Sequence, residues 1–263
     1  MSRPAAPGPV AVPMRSPLLV LAWVALLAAV LAGCSSSGAV DAAVVAGPGV
    51  PTRAGGHLLG APAPEWLAAD ALGEQVPLFA APGRVDPSHR VLTNPTSEGV
   101  PLAFLVRQVV GPWLEVQIAA RPNGATAWIQ RSTVLLRPER YRIEVRLSVH
   151  RLRLFSGRTV VATMPVAVGT PDSPTPTGHF FVDAKVRLTD PTGPYGAGQV
   201  SVTGFSNVYY SFGAGIGQIA IHGTDQPNLI GQGVSHGCIR LTNPEILRLL
   251  AIVPTGAPVD VLP

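Results

Sequence analysis

Ser235-His236-Gly237-Cys238-Ile239-Arg240, read with Ile221-His222-Gly223-Thr224 upstream, is the stretch around which this chain is organised. The chain has two cysteines and six histidines, and one of the cysteines and two of the histidines fall here. A thiol with an ordinary pKa near 8.5 is only about 3% thiolate at pH 7, so a nucleophilic cysteine needs help. A neighbouring imidazole can take the proton and leave a thiolate–imidazolium pair. Gly237 has no side chain to keep a substrate carbonyl from backbone N–H groups, as an oxyanion hole requires. The residues point to acyl transfer with Cys238 as nucleophile and His222 as base. Extended backbone from 236 to 240 would put His236, Cys238 and Arg240 on one face.

The order His, spacer, Ser-His-Gly-Cys with apolar flanks resembles the L,D-transpeptidase family (the YkuD-type catalytic domain), whose members remodel bacterial peptidoglycan. The resemblance runs from about Arg142 to Pro263, and a domain is expected over 141–263. Pro174-Thr175-Pro176-Thr177-Gly178 and Gly193-Pro194-Tyr195 are typical of the same family. The resemblance implies that Cys238 attacks a stem-peptide carbonyl and that His222 moves the proton. It also implies that the Gly223 carbonyl orients the imidazole and that the N–H groups of Gly237 and Cys238 receive the oxyanion. His236, Arg240, Ser235 and Tyr195 are then candidates for substrate binding. No cofactor and no metal is implied; the partners are donor and acceptor stems of peptidoglycan, and carbapenems would acylate the cysteine. Water as acceptor would make the site an L,D-carboxypeptidase, and a protein amine would make it a wall-anchoring transpeptidase. Two other readings of the motif are zinc held by His222, His236 and Cys238 with His150 or His179, and an inactive wall-binding module. The missing second cysteine and the flanking glycines speak against zinc.

Composition bounds the rest. Among 263 residues only 13% are charged, while Gly and Pro number 28 each, which favours strands and turns. The formal charge is +4; setting aside Arg3 and Arg15 leaves 17 basic against 15 acidic residues. That balance gives no argument for a nucleic-acid ligand.

Residues 1–34 read as a lipoprotein-type signal peptide: Arg15, an apolar run from Pro17 to Leu31, then Leu31-Ala32-Gly33-Cys34. The alternative is an uncleaved anchor with an incidental cysteine. Lipidation of Cys34 would tether the protein to the outer face of the cytoplasmic membrane and leave Cys238 unpaired in an exported chain, where a free thiol is notable. Residues 35–74, rich in Ala, Gly and Pro, read as a flexible linker spanning roughly 35 Å.

From 75 to 138, alternation at Trp113-Leu-Glu-Val-Gln-Ile, a turn at Asn123-Gly124 and a return at Ala127-Trp128-Ile129 predict short antiparallel strands. This stretch resembles a bacterial SH3-like barrel, in which Trp113 and Trp128 either line a ligand groove or, the favoured role, pack in the core. Further strands are expected at Arg142–Val149, Leu152–Phe155, Thr159–Val168, His179–Val182, Asn207–Phe212, Gln218–His222 and Pro258–Leu262, with one helix capped by Asn243. The expected fold is mostly β: an SH3-like barrel followed by a β-sandwich-like catalytic domain with one short C-terminal helix.

Overall fold

Alternation in Tyr141–Arg146 places Ile143 and Val145 on one face, and both are fully buried. A computed structural model describes residues 66–211 and 215–263. The signal-peptide reading, Cys34 and most of the linker lie outside these residues. The described fold is mostly β with one α-helix.

An eight-stranded sheet carries the C-terminal half, in the order Thr159–Pro165, Arg151–Ser156, Tyr141–Arg146, Pro258–Leu262, Gly178–Arg187, Gly198–Phe205, Gln218–His222, Ile239–Arg240. The last strand of the chain lies in the interior of the sheet, parallel to Tyr141–Arg146 and antiparallel to Gly178–Arg187. The helix Asn243–Ile252 buries Ile246 and Leu249 in the core that this sheet shares with Val200, Val202 and Ile221. Burying each such aliphatic side chain stabilises by about 1.5–3 kcal/mol.

Several details of this half differ from the sequence reading. The strand expected at Asn207–Phe212 is not one over its described part; the strand is Gly198–Phe205. Its polar residues sit inside: Thr203 is fully buried, and its hydroxyl accepts the Phe181 N–H at 3.1 Å. Such a strand, buried on both faces, does not alternate. Backbone 236–238 is not extended, because Gly237 takes φ +115°. The helix is capped by Thr242: the Glu245 carboxylate accepts its N–H at 3.2 Å and its hydroxyl at 2.7 Å.

Ahead of this sheet, seven strands form a second one, in the order Arg84–Val85, Phe79–Ala81, Thr126–Gln130, Trp113–Gln117, Ala103–Val110, Trp66–Ala71, Val134–Glu139. Trp66–Ala71 corrects the linker boundary at 74. It pairs with strands on both sides, and its fully buried Ala68 and Ala69 are too small to register as a β signal. The Trp113–Gln117 hairpin forms as its alternation predicts, with Leu114 and Val116 fully buried. Trp113 and Trp128 therefore fall on the opposite face and are only half-buried, Trp113 lying edge-on to Phe79 at 4.7 Å. Both sheets lie in one compact unit. Gln117 bridges them by donating to the His179 carbonyl at 2.7 Å.

Candidate active site

Gln218–His222 and Ile239–Arg240 pair in parallel, with Ile221 opposite Ile239 and His222 opposite Arg240. Counting back one residue sets Cys238 level with Ala220. Paired positions of parallel strands share a face, so His222 and Arg240 lie on one side of the sheet edge, with Cys238 just ahead of Ile239–Arg240 and lining a cavity with Ala220. Leu241 N–H locks this register by donating to the His222 carbonyl at 2.8 Å.

His222 is buried, and its Nδ1 lies 2.6 Å from the Gly223 carbonyl oxygen. A carbonyl can only accept, so Nδ1 carries the proton and Nε2 presents a lone pair. Burial pushes the imidazole down to about 4; the Gly223 bond and Asp225 oppose the shift, and the Arg240 charge reinforces it. Cys238 is a free thiol, and burial pushes its pKa up, against a pull downward from the Ala220 backbone and Arg240. Both groups therefore rest neutral near pH 7. The reason is desolvation, which disfavours both charges.

The loop before the cysteine is fastened from within. Ser235 is buried; its hydroxyl donates to the Cys238 carbonyl at 2.5 Å and accepts the Gly237 N–H at 3.1 Å. Ser235 thus faces inward and is not placed to meet a substrate. The Gly237 N–H, expected in the oxyanion hole, is committed to that hydroxyl. His236 is exposed on the bend, with the Tyr209 ring edge-on at 5.8 Å. Arg240 is half-buried, its Nε sealed without a hydrogen-bond partner among the described residues.

Tyr195 reaches the site from the Asp190–Ala197 loop. Its ring lies 4.8 Å from the imidazole of His222. Burial raises its phenol pKa, with Cys238 adding to the rise and Arg240 opposing it, and Tyr195 and Cys238 line one cavity. Asn243 secures this loop, a role the sequence reading missed in assigning it to the helix cap. Its Oδ1 accepts the Ala197 N–H at 2.9 Å and its Nδ2 donates to the Pro191 carbonyl at 3.3 Å. Gly196 and Gly223 both press against this carboxamide, where a Cβ on either would collide with Oδ1.

The cavity beside Cys238 is lined by Tyr195, Gln199, Ser201, Ile216, Gln218 and Glu98. Glu98 belongs to the N-terminal sheet's segment and has no local signal in the sequence. Among the described residues no three His, Cys, Asp or Glu side chains cluster as a metal-binding group. His179 instead pairs with Asp260 at 2.7 Å.

Residues 140–261 match the family model of the L,D-transpeptidase catalytic domain, YkuD. The YkuD protein of Bacillus licheniformis is 40% identical over 123 residues, covering 47% of this chain and 66% of that protein. Its counterpart in Bacillus subtilis is 37% identical over 121 residues, covering 46% and 65%. The chain thus spans just under two thirds of either relative. A solved L,D-transpeptidase from Mycobacterium tuberculosis H37Rv aligns over 55% of this chain and 75% of its own, at 19% identity and a TM-score of 0.40. Residues 140–261, which hold His222, Cys238 and Arg240, are therefore similar to the catalytic domain of L,D-transpeptidases.

Proposed function

We propose that the protein is a peptidoglycan L,D-transpeptidase that forms cross-links between third residues of stem peptides through a thioester on Cys238. The observation that carries this reading is the parallel pairing of Gln218–His222 with Ile239–Arg240, which puts His222 opposite Arg240, two residues from Cys238. The domain match over 140–261 supports it.

Sγ of Cys238 attacks the carbonyl that joins the third residue of the donor stem to its terminal D-alanine, and the thiol proton passes to Nε2 of His222. The carbonyl oxygen becomes an oxyanion that the Cys238 N–H receives; the Gly237 N–H joins it only by leaving the Ser235 hydroxyl. The C–N bond breaks, and the imidazolium returns the proton to the departing D-alanine amine. A side-chain amine of a second stem then attacks the thioester, giving its proton to His222. The C–S bond breaks, and the thiolate recovers that proton. Because both groups rest neutral, proton transfer accompanies attack and does not precede it. The Gly223 carbonyl holds the imidazole in the required tautomer, as a carboxylate does in other triads. Arg240 holds a stem carboxylate, for which its planar fork is suited. His236 and Tyr195 line the donor path.

The SH3-like module, on the same reading, places the enzyme on wall polymer. The N-terminal segment tethers it to the membrane through lipidated Cys34.

The test is intact mass of residues 40–263 after incubation with a carbapenem, beside Cys238→Ala and His222→Ala. An adduct on the parent that either substitution abolishes supports the reading. Absence of adduct on folded parent rejects it. Added tetrapeptide stems then report the acceptor: dimer for transpeptidation, shortened stem for a carboxypeptidase. A stem joined to a protein amine would mark an anchoring enzyme.

A further inference from the structure

Residues 206–211 follow Gly198–Phe205 out of the sheet, and 215–217 lead into Gln218–His222 beside the cysteine. The two stretches are tied together, Ser206 N–H donating to the Gly217 carbonyl at 2.9 Å. Ile216, Gly217 and Gln218 wall the Cys238 cavity, and Tyr209 packs on His236. Ile216 stands between Gly215 and Gly217, which give these residues little conformational preference of their own, so they depend on a hold from outside.

That hold comes from the hairpin turn of the N-terminal sheet. Nη1 of Arg121 donates to the Ser206 carbonyl at 2.8 Å, and Nη2 donates to the Tyr209 carbonyl at 3.3 Å and reaches the Ile216 carbonyl at 3.5 Å. The guanidinium also lies 5.0 Å from the Phe205 ring centroid and 4.7 Å from that of Tyr210. Two residues on, Asn123 brackets Phe205: Oδ1 accepts its N–H at 2.8 Å, and Nδ2 donates to its carbonyl at 2.9 Å. The carboxamide thus supplies the pair of bonds that a neighbouring strand would make. The cradle is closely fitted, since a Cβ on Gly217 would strike the Tyr209 carbonyl and stand 3.0 Å from Nη2 of Arg121.

We propose that Arg121 and Asn123 are positioning residues for the acyl-transfer reaction. From the N-terminal sheet they fix the segment that walls the Cys238 cleft, so the first β module completes the catalytic site. The proposal rests on the acyl-transfer reading above. Three carbonyls converging on one guanidinium make a demand that only a planar, many-donor side chain meets, so lysine is not an equivalent.

The experiment uses the full chain and its Arg121→Ala, Arg121→Lys and Asn123→Ala variants. Three rates are compared: carbapenem acylation by intact mass, alkylation of Cys238 by iodoacetamide, and hydrogen exchange over 205–211. Arg121→Ala is expected to slow acylation roughly tenfold to a hundredfold, as misplacement of about 1 Å does. Alkylation, which needs no cleft wall, stays within about twofold of the parent. Exchange over 205–211 rises, and Arg121→Lys rescues little. Parent-like acylation in both alanine variants overturns the proposal, as does an acylation loss matched by an equal loss of alkylation. A parent that takes no carbapenem rejects the acyl-transfer reading instead. In that case unchanged exchange over 205–211 in Arg121→Ala overturns the clamp, and raised exchange upholds it.

Discussion

The side-chain amide of Gln218 donates to Oδ2 of Asp183 at 2.6 Å, joining a buried carboxyl to the first residue of the strand that ends in His222. Burial raises Asp183 to about 6, against the pull of Gln218 and of its own and the next backbone N–H groups, with Glu98 adding to the rise. Its Oδ1 is sealed without a hydrogen-bond partner in good geometry among the described residues.

A folded pKa of about 6 against 3.8 unfolded means that the native state holds the extra proton between those values, so stability falls as pH rises through them. His222 runs the other way: the native state holds fewer protons between about 4 and 6.5, so its contribution rises across that window. The two oppose, and the parent's stability should vary little from pH 4 to 6. Asp183→Asn keeps an acceptor for Gln218 and removes one of the opposing slopes. Its gain over the parent should be on the order of 2 kcal/mol at pH 7 and near zero at pH 4. Urea unfolding at both pH values measures it, and an equal difference at the two would contradict the assignment.

Cys238 and His222 resting neutral predicts a particular pH profile. Alkylation by iodoacetamide should climb steadily to beyond pH 8.5, with no reactive plateau at acid pH of the kind an ion pair gives. Arg240 lowers the thiol, so Arg240→Ala should slow alkylation at pH 7.5 by roughly threefold to tenfold. A plateau below pH 6 would show that the ion pair exists.

Gly237 cannot accept a side chain without strain, because φ is +115° and a Cβ would lie 3.2 Å from Cδ1 of Ile219. Gly237→Ala should cost about 1–3 kcal/mol. In a domain of this size the melting temperature then falls by about 2–4 °C per kcal/mol. Carbapenem acylation should fall further than stability does. Gly231→Ala, with φ +93° but open space around it, is the control: it shares the strain and should spare acylation.

Asn243→Ala removes both bonds to the Asp190–Ala197 loop and leaves the Thr242–Glu245 cap in place. The cost in stability should be about 1 kcal/mol, with faster exchange over 190–197 and slower acylation as Tyr195 loosens. Glu245→Ala makes the opposite cut, weakening the helix start while keeping the loop. Equal exchange over 190–197 in the two variants would remove the role given to Asn243.

Most strands in this chain could be read because one face is core and the other solvent, as at Leu114 and Val116 or Ile143 and Val145. Where both faces are covered, the signal disappears. Thr203 is polar and fully buried, and Gly204 is a glycine because the Phe180 ring lies 3.0 Å from where its Cβ would be. The chemical pair was legible because Cys238 and His222 are local motifs. Their supports were not: Arg121, Asn123 and Asn243 act across 46 to 95 residues of sequence on backbone atoms, which carry no residue-type signature, and Glu98 lines the cavity from far upstream. Ser235 carries a further role that the motif does not spell out, its hydroxyl fastening the loop by donating to the Cys238 carbonyl and accepting the Gly237 N–H.

Pro258–Leu262 sits between Tyr141–Arg146 and Gly178–Arg187, two strands that do not pair with each other. The order in which the polypeptide is made therefore opposes the order in which it can assemble. Strands made early must wait, unpaired on one edge, for a segment translated more than 70 residues later. Contacts of such long sequence separation also fold slowly. His222 and Cys238 are synthesised before the scaffold that aligns them is closed, so the growing chain carries its thiol without its catalytic geometry.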